Sequence, residues 1–196
     1  MPYNPVDLEF RKAPLAIATY AFSEVVDGTG IVQFFGCRIS TDDHEDEDKY
    51  IMTTKNMSPS TAYTVLSAGQ DLDFDVEFVV PKVINGTAFF TVPAHADNSL
   101  ANPYVIVRKW DGSTETDIVA VTTMPNYGGA SYPEMTLRVE IPRTTFKKGE
   151  FLRITVGLDA GANSNIDLYH DPLASQPLFE GTGGKMSMFI PFEVDI

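Results

Sequence analysis

Residues 72–80 carry a period-two pattern: Leu72, Phe74, Val76, Phe78 and Val80 fall between or beside Asp71, Asp73, Asp75 and Glu77. Successive side chains of a strand point to opposite sides, so this period predicts a strand with one buried face and one acidic ladder. The same period recurs downstream. Leu137, Val139 and Ile141 share a face against Thr136, Arg138 and Glu140; after a reversal at 142–149 that carries Pro and Gly, Leu152, Ile154, Val156 and Leu158 repeat it against Arg153 and Thr155. These two runs predict an antiparallel unit with one apolar face, which is marginal in water until a second sheet covers it. The last run, 185–196, sets Met186, Met188, Ile190, Phe192, Val194 and Ile196 on one side.

Turn chemistry marks the other elements. Residues 15–26 and 31–39 bracket Asp27-Gly-Thr-Gly30 as a first hairpin, and 50–53 reads as a short strand. Asn85-Gly86 suits the positive φ angles of a tight hairpin between 83–84 and 88–92, and Asp111-Gly112 sits in the bend of another between 104–109 and 118–123. Residues 58–66 predict a short helix behind a Ser58 cap, 166–169 a strand, and 93–103 and 171–184 loops. Roughly eight or more strands between Gly and Pro turns, without a solenoid repeat or a sustained helical period, predict an all-β fold. The expected architecture is a two-sheet antiparallel β-sandwich with jelly-roll topology. Pro2, Pro5 and Pro14 keep the start out of a sheet interior, so residues 1–15 read as an extended arm ahead of one β-sandwich domain, 16–196.

Composition narrows the function classes. A net charge of -13 repels phosphate, because nucleic-acid affinity needs clustered Lys and Arg, and direct nucleic-acid binding is not expected. No run of about 18 apolar residues occurs and the first residues lack a signal-peptide pattern, so folding in a cytoplasm, without a membrane partner, is expected. The lone Cys37 removes an intramolecular disulfide and reads as a small core residue.

Candidate chemistry is sparse. Asp71-Leu-Asp-Phe-Asp75 begins like a calcium loop, but Val76 stands where the turn needs Gly and Lys82 where a bidentate Glu belongs. The acidic run 42–48 reads as an exposed loop; a hard cation there is the sharper alternative. Gly181-Thr-Gly-Gly-Lys185 shares only Gly and Lys content with a phosphate loop, and a strand follows where a helix is required. His44, His95 and His170 are the three histidines and no Gly-x-Ser-x-Gly elbow presents a serine, so no catalytic residue, cofactor or metal ligand is assigned and the chain is read as a non-enzyme. Partner binding falls to Pro2, Tyr3, Pro5 and Phe10 in the arm and to Trp110, Tyr127 and Tyr132 in predicted loops, where aromatic faces anchor protein partners or stack on sugars.

The C-terminal third carries a resemblance. Leu168-Tyr-His-Asp-Pro172, then Lys185-Met-Ser-Met-Phe-Ile-Pro-Phe-Glu-Val-Asp-Ile196 after a Gly-rich turn, resembles the closing segment of jelly-roll structural proteins from tailed-phage virions. Residues 146–156 are similar in style to their late strands. The resemblance implies a capsid decoration (cement) or head-associated subunit, docked on the major capsid protein or other virion proteins, often as a homotrimer, and located in the virion after folding in the host cytoplasm. A carbohydrate- or receptor-binding β-sandwich module is the alternative.

Overall fold

The computed structural model describes residues 29–39, 49–55, 63–96, 102–124, 134–159, 165–170 and 186–193. Among them there is no helix, and hence none able to cross a membrane. The fold is all-β. Its strands are β1 (Thr29–Ile39), β2 (Lys49–Thr53), β3 (Tyr63–Leu66), β4 (Asp71–Glu77), β5 (Lys82–Ala96), β6 (Pro103–Trp110), β7 (Glu115–Thr123), β8 (Glu134–Phe146), β9 (Phe151–Leu158), β10 (Ile166–Tyr169) and β11 (Ser187–Glu193). They form one large sheet in the order β3-β10-β5-β11-β1-β2-β4-β9-β6-β7, with β8 on β5. All pairings are antiparallel except β2 with β4.

Most of the period-two runs lie where the alternation puts them, with Leu72, Val76 and Leu137 only partly buried and Val194 and Ile196 outside the described residues. Phe74 is fully buried and Phe78 nearly so, while Asp71 and Glu77 are exposed. Leu152, Ile154, Val156 and Leu158 of β9 are fully buried, as are Val139 and Ile141 of β8 to within a few per cent. Met186, Met188, Ile190 and Phe192 are all in the core, and Cys37 is buried as expected. Side chains from strands far apart in the order meet there. Phe78 stacks edge-on against Phe146, at the end of β8, and against Phe192 of β11, with centroids 5.0 and 5.9 Å apart. Phe74 of β4 and Tyr50 of β2 both contact the ring of His170, which follows β10.

Several expectations are corrected. β8 and β9 are not a pair: β8 bonds to β5 and β9 to β4 and β6, so the Lys147–Glu150 turn carries the chain between separate neighbours. Alternation fixes which face is buried but not which strand lies alongside. Asn85-Gly86 does not reverse the chain. β5 runs straight through it, and the positive φ of Gly86 (118°) accompanies a register shift at which Asn85 faces the two residues Pro142 and Arg143 of β8. A bulge accommodates the proline, which has no N–H for the ladder. Residues 63–66 are strand rather than helix, and strand also enters the predicted loop at 93–96. Val80, expected inside, is 50% exposed because β4 ends at Glu77. Thr155, expected on an open face, is fully buried. The 104–109/118–123 hairpin stands as β6 and β7, closed by Asp111, whose Oδ1 accepts the Ser113 and Thr114 N–H groups at 2.9 and 2.7 Å while Gly112 takes φ 95°. β1 starts inside the predicted turn at 27–30; the arm 1–15, residues 16–28 and the acidic run 42–48 lie outside the described residues.

Candidate functional site

The non-core face of β4, β9 and β6 collects most of the described polar chemistry. Antiparallel register brings Asp75 opposite Arg153, Asp73 opposite Thr155, and Arg108 opposite Arg153. Two like charges opposite each other are unfavourable unless carboxylates intervene. They do. Arg153 grips Asp75 through Nε and Nη2, both at 2.7 Å, and reaches Glu115 at 2.8 Å and Asp73 at 3.2 Å through Nη1. Arg108 donates to Asp117 at 2.9 Å and to the Thr155 hydroxyl at 3.1 Å, and its Nη1 lies 3.2 Å from Glu115. Thr155 in turn donates to Asp73 at 2.5 Å. The Asp75 fork, despite the burial that opposes it, and the neighbouring carboxylates hold the Arg153 guanidinium protonated well above its ordinary range. Arg153 Nε, Nη1 and Nη2 and Arg108 Nε and Nη1 are all directed at groups of this chain, so the cluster works as a lock that fixes the register of β4, β9, β6 and β7.

Trp110 belongs to this face. It is the last residue of β6 rather than a loop residue, half-buried, with its ring 4.9 Å from Phe151 and the Arg153 guanidinium 4.6 Å from its centroid. That is cation–π geometry, which ties the ring into the lock. Tyr104, three steps of the alternation away on the same face, lies across Gly157, where a Cβ would overlap its ring. Partial burial, with Asp71 beside it, raises the Tyr104 phenol above its usual pKa.

A second cluster sits inside. His170 is fully buried; its Nε2 is 2.8 Å from Thr64 Oγ1, which lies 3.0 Å from the Tyr50 hydroxyl. Nδ1 finds no hydrogen-bond partner among the described residues. Burial first, and the Arg38 charge second, depress the imidazole pKa to about 4. The neutral tautomer that leaves a lone pair rather than an N–H unpaired has Nε2 donating to Thr64. A hydroxyl beside an imidazole is the outline of an activated nucleophile, but a base of pKa about 4 takes a proton poorly at neutral pH. An open groove of about 450 Å³ runs past Thr64, Val65, Gln70 and Leu72.

Of the residues assigned to partner binding, Pro2, Tyr3, Pro5, Phe10, Tyr127 and Tyr132 lie outside the described residues, so only Trp110 is placed. Among the described residues no group of three or more His, Cys, Asp and Glu forms a metal site. The sequence reading missed apolar side chains left outside: Tyr63 and Val65 on β3 (43% and 49% exposed), Val121 on β7 (57%) and Val79 (71%). Val79 alone carried a signal, since it breaks the alternation before Val80-Pro81; Tyr63 and Val65 were hidden by the helix reading.

No protein-family model matches the chain, and no curated protein matches it. Solved structures do. A CocE/NonD family hydrolase from Staphylococcus aureus superposes with a TM-score of 0.54 at 11% identity, over 84% of this chain and 37% of that one. An aminopeptidase from the marine sediment archaeon Thaumarchaeota archaeon gives 0.53 at 9%, over 82% and 37%, and an alpha-amino acid ester hydrolase 0.52 at 8%, over 84% and 36%. The likeness is one of fold. This chain spans little more than a third of the length of each hydrolase.

Proposed function

We propose that the chain is a non-enzymatic assembly subunit, a β-sandwich of jelly-roll type that docks on other protein chains, as a capsid decoration or head-associated protein does in a virion. The sandwich reading is supported by the ring contacts of Phe78 with Phe146 and of Phe74 with His170, which join strands remote in the sheet order. The observation that carries the docking reading is at the ends of that order. Among the described residues β3 and β7 stand at the two ends of the order, and each bears exposed apolar side chains, Tyr63 and Val65 on one and Val121 on the other. Folded proteins usually blunt such edges with charge or Pro, because an apolar edge recruits further chains. The resemblance of the C-terminal segment to phage jelly-roll proteins supports a virion as the setting, with capsid protein as partner.

The hydrolase names of the fold neighbours raise ester or amide chemistry, and the depressed basicity of His170 argues against it. The test is cross-linking of the purified chain to empty capsids, followed by mass spectrometry. Cross-links should concentrate on Lys49, at the start of β2, on Lys55, in the β2–β3 connection, and on the β6–β7 margin; turnover of an ester, glycoside or peptide panel would defeat the non-enzymatic reading. One observation favours a second reading, a carbohydrate- or receptor-binding module: Tyr104 and Trp110 share a face with a row of carboxylates. A reproducible glycan-array hit by a monomer would support it.

A further inference from the structure

At one end of the fold two connections lie side by side: residues 78–81, between β4 and β5, and 147–150, between β8 and β9. The Phe78 N–H donates to the Glu150 carbonyl at 3.0 Å and the Gly149 N–H to the Phe78 carbonyl at 2.8 Å. Beneath them Phe78 stacks on Phe146, so this end rests on the core. Outward it shows adjacent valines, Val79 at 71% and Val80 at 50% exposure, ringed by exposed Lys82, Lys147 and Lys148. Pairing of Lys82 with Phe146 sets it beside Lys147. None of the three lysines makes an ion pair among the described residues, whereas Arg108, Lys109, Arg138, Arg143 and Arg153 each face a carboxylate. Of the acids nearby, Glu150 is taken by Lys109 at 2.5 Å; Glu77 is exposed at the end of β4.

An apolar spot inside a cationic rim is suited to an acidic segment: the valines supply contact area, and the lysines orient and select. The chain carries such a segment in 42–48, with Asp42, Asp43, Glu45, Asp46, Glu47 and Asp48 around His44. We propose that this end docks a second copy of the chain through the acidic run 42–48 of that copy. The inference rests on the reading of the chain as an assembly subunit and names the partner of one of its surfaces. The two surfaces differ, so the contact is heterologous and closes as a ring, such as the expected trimer, when the rotation allows. The repulsion between copies of charge -13 is screened beyond about 8 Å at physiological salt, while the local pairs act at contact. An anionic membrane, the other surface such a patch fits, is opposed by the same net charge.

Sedimentation velocity at physiological salt tests this. The wild type should self-associate with increasing concentration; the triple variant Lys82→Glu, Lys147→Glu, Lys148→Glu should sediment as a monomer, and so should Asp46→Lys, Glu47→Lys, Asp48→Lys. Both variants stay net negative, so restored association on mixing them reports the local match rather than bulk attraction. The first variant must melt at the wild-type temperature, since its positions are exposed. A wild type that is monomeric at every concentration, or a lysine variant that still associates, overturns the inference. So does a wild type that binds capsids as a monomer, which leaves the assembly reading intact; loss of self-association with capsid binding retained supports the inference and separates the two contacts.

Discussion

Replacing His170 with Phe should remove an acid sensitivity that the wild-type fold carries. Folding takes the imidazole from an ordinary pKa of 6.5 to about 4, chiefly by burial and secondly through Arg38. Protonation at Nδ1 would create a buried N–H with no acceptor among the described residues, facing the Arg38 charge and the rings of Tyr50 and Phe74. The sign follows from proton counting: between pH 6.5 and 4 the unfolded chain binds more protons at this site than the folded one, so stability falls as pH falls through that window. At about 1.4 kcal/mol per pH unit, His170 contributes a loss of about 3 kcal/mol between pH 7 and pH 4. Carboxylates titrate there too, and the variant isolates the imidazole because it keeps them all. Urea melts at closely spaced pH values give the difference in unfolding free energy between wild type and His170→Phe. That difference should move by about 3 kcal/mol in favour of the variant on going to pH 4. A difference flat to within about 0.5 kcal/mol would refute the assignment of a buried neutral imidazole.

Phe78→Ala should cost about 3–5 kcal/mol in denaturant melts, since it empties the space between Phe146 and Phe192; a loss under about 1 kcal/mol would contradict the packing. Arg153→Lys keeps the charge but loses the two-pronged grip on Asp75, and should cost about 1–2 kcal/mol, shrinking in an Asp75→Asn background; equal costs in both backgrounds would show that the fork does not couple the strands. Gly157→Ala should cost about 1–3 kcal/mol by driving Cβ into the Tyr104 ring, and much less in a Tyr104→Ala background, as a double-mutant cycle would read.

Much of the fold was legible because burial follows period. The inward faces of β4, β8, β9 and β11 are written in residues such as Phe74, Val139, Ile154 and Ile190. Partnership was not legible. The runs of β8 and β9 are adjacent in sequence and alike in pattern, yet each bonds to strands far away, and alternation holds no information on which. Asn85-Gly86 misled because positive φ at Gly serves a bulge as readily as a turn, and only the proline opposite, on another strand, decides between them. Tyr63–Leu66 misled because four residues behind a Ser-rich stretch are too few for period to outweigh a cap signal. In the charged face, the acidic ladder of β4 was visible in the sequence; that Arg108 and Arg153 would answer it required the β4–β9–β6 register. The burial of His170 was invisible, since Thr64 and Tyr50 come to it from strands distant in sequence.

The central claim, that this is an assembly subunit rather than an enzyme, is tested most directly by cosedimentation of the purified chain with empty capsids. The account predicts saturable binding at a fixed number of copies per particle, weakened by Tyr63→Lys with Val65→Lys or by Val121→Lys on the terminal strands, whose exposed side chains can change without unfolding the core. A chain left wholly in the supernatant, with its terminal-strand variants no different, would contradict it.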